Sequence, residues 1–252
     1  MRIEHPQPQH IPGLKRLWQQ AFGDEAFLVD SFFRSAFSPE RCLCVLCGDE
    51  PAACAYWLDG TLEGQKIAYV YAVATDSAYR GQGLCHRLMA QLHTLLKARG
   101  YASAILKPGS GSLFSLYAGM GYRSCCSVTE FTCTGAGIPA ELRLVSTAEY
   151  ARLHPKLLPP GSVVQGPEAL DYLESYCRVY AGEDLLLCGW VDGNTLLVQE
   201  YLGDPAAAPA VTAALGADEG RFRICGSGTE HAKYLPLAAG CPVPRYLGLP
   251  LD

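Results

Sequence analysis

The sequence predicts an α+β protein of two domains in tandem, and three observations carry that prediction. Short apolar or alternating runs bounded by Gly, Asp and Pro interleave with stretches of 3.6-residue periodicity. A glycine-rich turn, Arg80-Gly-Gln-Gly-Leu-Cys85, joins an extended run to a long amphipathic stretch. Trp190-Val-Asp-Gly193 echoes Trp57-Leu-Asp-Gly60, and each follows a pair of helical stretches, the pattern of a duplication.

The elements follow in order. Arg2 to His5 reads as a short strand, and Ile11, Leu14, Leu17, Trp18 and Phe22 fall at helical spacing. A second, Phe-rich helix covers Ala26 to Phe37 and is ended by Pro39. Arg41 to Cys47 and Ala52 to Leu58 form a hairpin between the turn signals Gly48-Asp49 and Asp59-Gly60, and Lys66 to Thr75 reads as the longest strand. From about Gly81 to Arg99, Leu84, Leu88, Leu92, Leu95 and Leu96 line one helix face, with Gly100 as its left-handed cap. Ala102 to Leu106 is a strand, Ser112 is expected to cap a short helix through Met120, and strands cover Tyr122 to Cys126 and Val128 to Cys133. Residues 134–139 read as a linker, placing the domains at 1–134 and 140–252.

Residues 140–252 repeat the theme weakly. Helices over Thr147 to Leu158 and Ala169 to Tyr180 precede a hairpin in LLLCGWVDGNTLLVQEYL. A short Ala-rich helix stands where the first half has its long one, and the glycine-rich turn is not repeated.

Composition narrows the function. A chain of 252 residues, 49% apolar, is long enough to bury two cores, and its N-terminal residues and apolar runs suit neither a signal peptide nor a span of about 18 residues. A cytoplasmic protein without membrane contact is the expectation. Its net charge of −5, from 20 basic and 25 acidic residues, lacks the basic excess that binds a nucleic-acid backbone. Twelve cysteines stay below the roughly 8–10% that marks a disulfide scaffold. Cys42, Cys44 and Leu46 alternate as one strand face, and nothing completes a zinc ligand set around Cys44-x-x-Cys47, so buried thiols and no metal are expected.

The segment YVYAVATDSAYRGQGLCHRLMAQL, residues 69–92, carries the chemistry. A strand runs into Arg80-Gly81-Gln82-Gly83 and then a helix, so backbone N–H groups unobstructed at the glycines point together at a helix N-terminus. That arrangement is an anion cradle suited to a diphosphate, with Arg80 as an added cation. A Walker loop and a dinucleotide fingerprint both fail on the residues, because no G-K-(S/T) is present and the position expected to be the third glycine is His86.

This order of elements, with Arg80, Gly83 and Cys85 on the pattern (R/Q)-x-x-G-x-(G/A), resembles the GNAT superfamily of acyl-CoA N-acyltransferases over the first 134 residues. Cys85 departs from the usual Gly or Ala. The resemblance implies a mixed, mostly antiparallel splayed sheet flanked by helices and acetyl-CoA as co-substrate. Its pantetheine arm would pair with Val73, Ala74 and Thr75, and its diphosphate would sit on Gly81, Gln82, Gly83, Leu84, Cys85 and His86. SGSLFSLYAGMGY, residues 110–122, resembles the family's short helix, which places Tyr117 as general acid for the leaving thiolate and Ser112 beside the cofactor.

The tandem arrangement is similar to the enhanced-intracellular-survival (Eis) type of acetyltransferase without its third domain. That likeness implies a degenerate GNAT-like second domain contributing to the substrate cleft, and the C-terminal carboxylate of Asp252 as base. The expected reaction is direct acetyl transfer to a small-molecule or peptidyl primary amine in a ternary complex. His86 and His93 read as bystanders. The competing reading is a catalytically inactive coenzyme A-binding sensor or structural protein, and the oligomeric state stays open between monomer and homodimer.

Overall fold

A computed structural model describes residues 1–249 and 251 as two units. The first comprises Met1–Arg123 with Lys233–Pro242, the second Ser124–Ala232 with the described residues from Val243 on. The division falls at Arg123/Ser124, ahead of the 134–139 segment, and a late segment of chain belongs with the first unit.

In the first unit, strands β1 (Arg2–Glu4), β2 (Cys42–Cys47), β3 (Glu50–Leu62), β4 (Gln65–Thr75) and β5 (Ser103–Leu106) lie in that order. All neighbours are antiparallel except β4 and β5. Helices α1 (Ile11–Phe22) and α2 (Ala26–Ser35) pack an aromatic cluster of Trp18, Phe32 and Phe33 against Tyr56 and Tyr71, with Trp18 4.7 Å from Phe32 and 5.5 Å from both tyrosines. Gly23, at φ +75, ends α1 by returning its N–H to Gln19 O. Helix α3 (Leu84–Ala98) buries Leu84, Leu88, Met89, Leu92 and Leu96 against Leu43, Val45, Ala53 and Val70 of the sheet. Helix α4 (Gly111–Gly119) follows β5.

The second unit begins with β6 (Arg123–Thr134), one continuous strand where two short ones are expected. It continues through β7 (Arg143–Leu144), α5 (Thr147–Leu157), β8 (Ser162–Gln165), α6 (Pro167–Leu173), β9 (Arg178–Gly182), β10 (Leu185–Asp192), β11 (Thr195–Leu202), α7 (Ala208–Ala214) and β12 (Glu219–Cys225). The sheet order is β6-β12-β11-β10-β9-β7, and β11 and β12 are parallel. Strand β13 (Thr229–Pro236) then crosses into the first unit, where its Lys233–Pro236 half pairs antiparallel with β5. Finally β14 (Tyr246–Leu247) pairs with β8.

The duplication read from the two Trp-x-Asp-Gly segments has a topological counterpart. In each unit a hairpin feeds a helix and then a strand parallel to the second hairpin strand, β3-β4-α3-β5 and β10-β11-α7-β12. Both sheets are mixed and mostly antiparallel, with helices against them.

Several sequence expectations are corrected. Asp59-Gly60 is not a turn; both lie inside β3, because the hairpin closes at Glu63-Gly64, with φ +49 and +78. That extension makes β3, at 13 residues, longer than β4 at 11. The helix expected over Ala169 to Tyr180 stops at Leu173, and the chain re-enters the sheet at Arg178, pairing with β10. Cys42, Cys44 and Cys54 are buried, and burial pushes the thiols of Cys44 and Cys54 up to about 12. All twelve cysteines are free, and no cluster that could hold a metal occurs among the described residues. No helix there is long and apolar enough to cross a membrane.

Candidate functional site

The site begins with a fault in β4. Cys54 pairs with Ala74 and Tyr56 with Tyr71, so Ala72 and Val73 together oppose Ala55 alone. Ala72 adopts φ +46, the left-handed conformation a bulge demands and a residue with a Cβ resists. Beyond this point β4 parts from β5: their pairing covers only Ile67 to Tyr69, whereas β4 runs on to Thr75. The ladder groups of Val73 to Thr75 facing β5 are left without strand partners, an edge open to an amide-bearing ligand.

The chain leaves β4 through an Asx turn. The Asp76 carboxylate accepts from Ala78 N at 2.8 Å and caps a 3-10 turn over Ser77–Tyr79, while Asp76 N donates to Ala52 O. Arg80 Nε donates to Thr75 O at 3.2 Å, bracing the turn, and its terminal nitrogens have no partner among the described residues. Gly81 and Gly83 follow at φ +74 and +71.

The first bond of α3 is Arg87 N to Gly83 O at 3.1 Å, so the N–H groups of Leu84, Cys85 and His86 have no acceptor within the helix. No side chain caps this end, and a Cβ on Gly81 or Gly83 would meet nothing within 4 Å. These unpaired amides stand at the positive end of a 15-residue helix dipole, an arrangement suited to an anion.

Cys85 is half-buried, its thiol raised by burial. Tyr117 of α4 lies in the core cluster that includes Leu84, and its ring meets Tyr122 edge-on at 5.7 Å. Burial, with Cys85 nearby, holds the Tyr117 phenol well above its ordinary value. Its hydroxyl makes no hydrogen bond among the described residues. Tyr122 is in turn hydrogen-bonded to His93 Nε2 at 3.0 Å, and burial lowers His93 to about 4.

The glycine turn, the open strand edge and Tyr117 thus belong to one unit, with Val73, Leu84, Cys85 and Tyr117 in one packed cluster. One expectation changes. Ser112 does not cap α4: Ser110 is the N-cap residue, without a side-chain cap bond, and Ser112 sits in the first turn, 3.1 Å from Ser110 Oγ. Asp252 lies outside the described residues. His86 is exposed on the first turn of α3. The bulge at Ala72 carries no sequence signal, whereas Asp76 with its Ala78 partner is a recognisable Asx turn.

The second unit shows what loss of this site means. Asp204 caps a 3-10 turn over Pro205–Ala207 by accepting from Ala206 N, as Asp76 does from Ala78. There the turn runs directly into α7, without the residues that correspond to Arg80–Gly83, and Ala208 at the helix start is buried. Among the described residues of the second unit the cradle has no equivalent.

Residues 2–125 match the acetyltransferase (GNAT) domain family. Comparison with curated proteins finds no match. Among solved structures the chain is similar to a GCN5-related N-acetyltransferase from Kribbella flavida, at 17% identity and TM-score 0.71 over 92% of this chain and 70% of that one. It is also similar to one from Anabaena variabilis, at 13% identity and TM-score 0.76 over 94% and 73%. Eis1 from Mycobacterium abscessus follows at 14% identity and TM-score 0.66 over 94% and 74%. At these identities the shared property is the fold, which in all three extends across both units.

Proposed function

Because residues 2–125 match the acetyltransferase (GNAT) domain family, we propose that the chain transfers an acetyl group from acetyl-CoA directly to a primary amine. The observation that carries this reading is the set of unpaired amides at Leu84–His86, fronted by Gly81 and Gly83, beside an unpaired stretch of β4.

In this reading the amides of Gly81 to His86, with Arg80, hold the diphosphate of coenzyme A, and Val73, Ala74 and Thr75 pair with its pantetheine arm. Ser112 contacts the same ligand. Acetyl-CoA supplies an activated acyl group on a thiol leaving group. An N–H at Val73 or Ala74 holds the carbonyl oxygen as negative charge develops there. The Tyr117 phenol carries its proton at neutral pH, as a tyrosine ordinarily does, and is the donor for the departing thiolate. The acceptor amine must lose a proton before it attacks, and the carboxylate of Asp252 is the base we assign to that step.

The test is thiol release from acetyl-CoA with a panel of primary amines, for the parent, Gly83→Trp and Tyr117→Phe. We expect amine-dependent release by the parent, no coenzyme A binding by Gly83→Trp, and binding with impaired turnover by Tyr117→Phe. Coenzyme A binding without release for any amine would favour a sensor instead.

A further inference from the structure

A second polar cluster lies entirely within the second unit and takes no part in the chemistry above. Glu200 of β11 is fully buried, and its Oε2 accepts from Tyr150 OH at 2.5 Å and lies 2.7 Å from His154 Nε2, both on α5. Burial pushes its carboxyl up, but His154 and the neighbouring phenols of Tyr150 and Tyr246 more than reverse this and hold it below the usual range. Oε1 has no hydrogen-bond partner among the described residues and faces Gly248, where any Cβ would overlap it.

The same stretch of chain is gripped from another side. Gln165, at the end of β8, donates its amide to the carbonyls of Gly248 at 3.0 Å and Leu249 at 2.5 Å, while Tyr246 and Leu247 pair with Ser162 and Val163. Leu249 and Leu251 adopt φ +50 and +56, a conformation that bulky side chains hold only where their surroundings impose it. A buried ionised carboxylate is costly, so a hydrophobic side chain would serve simple packing at Glu200 as well.

We infer that Glu200 and Gln165 are positioning residues, a clamp that fixes the conformation of Tyr246 to Leu249 and so anchors the chain that leads to Asp252. The clamp stands on the contacts above. Its catalytic consequence rests on the assignment of Asp252 as the base.

The test uses the full chain with Gln165→Met, which removes only the two amide bonds, and Glu200→Gln, which keeps the side-chain shape. Hydrogen exchange is read at the amides of Leu247 to Leu249, beside coenzyme A affinity and steady-state kinetics. We expect exchange there to quicken about tenfold in either variant while exchange in α3 is unchanged. Coenzyme A affinity and KM for acetyl-CoA should stay within about twofold, with kcat reduced about tenfold. If Glu200→Gln fails to fold, Gln165→Met alone decides.

Unchanged exchange at these amides in a folded variant overturns the clamp. Quickened exchange with full kcat, in a protein whose kcat is lost on deleting Asp252, overturns the positioning role. Full turnover of the chain lacking Asp252 refutes the base assignment alone, and quickened exchange would still support the clamp.

Discussion

In the proposed reaction Tyr117 serves as acid and Gly83 keeps the helix amides open, and each role predicts a different loss. Tyr117→Phe removes a proton donor without changing the packed ring, so kcat should fall by roughly 10²–10⁴ with coenzyme A affinity unchanged, measured by thiol release and calorimetry. Gly83 stands at φ +71 with open space before it, so Gly83→Ala is strained by about 1 kcal/mol without a clash, whereas Gly83→Trp covers the amides. A urea titration of Gly83→Ala should therefore show mild destabilisation with binding retained in weakened form. His93 supplies a pH signature. Its folded pKa of about 4 lies below its ordinary 6.5, so the unfolded chain binds more protons between those values, and stability falls as pH drops through that window. His93→Gln should flatten the urea-midpoint profile between pH 6.5 and 4. At this scale the glycine turn was legible from the sequence, since both Gly81 and Gly83 adopt positive φ, whereas the role expected of Tyr117 came from the family resemblance alone. The bulge at Ala72 was not, since alanine carries no preference for the conformation it adopts there.

Among elements, α3 is the one that local rules describe best: its leucines form a single face, and that face is buried against the sheet. Leu92 is fully buried in it, so Leu92→Ala should cost about 2–5 kcal/mol, read from equilibrium unfolding, with some loss of coenzyme A affinity as the helix start loosens. Where a short segment suits two structures, local pattern fails and tertiary pairing decides. The chain after Leu173 has apolar residues at helical spacing, yet Val179 and Ala181 serve as strand residues because β10 offers them an edge. Asp59-Gly60 reads as a turn, but the Asp59 carboxylate is held by Tyr101 OH with Lys66 at 3.7 Å, and Gly60 pairs with Ile67 inside the hairpin. The Ser112 assignment missed by two residues because Ser110 and Ser112 are equally good candidates for the start of α4.

For the whole molecule, the repeated signals of the sequence have a counterpart in the related topology of the two units, but the crossing of the chain between units was not readable. Strand β13 has no motif that says which sheet it joins, and long-range pairing of this kind is invisible to a local pattern. Its consequence is testable. A fragment ending at residue 134 lacks the Lys233–Pro236 pairing with β5 and the packing of Leu235 and Leu237 on the first core. It should melt well below the full chain and aggregate through the bared β5 edge, as followed by circular dichroism and light scattering.

If backbone amides at the start of α3 bind the diphosphate of coenzyme A, as proposed, their chemical shifts must respond to it. Titration with coenzyme A should move the N–H resonances of Gly81 to His86, whereas pantetheine, which has no diphosphate, should leave them in place while shifting Val73 to Thr75. Coenzyme A binding that leaves the Gly81 to His86 amides unmoved would rule out the diphosphate site at this helix start.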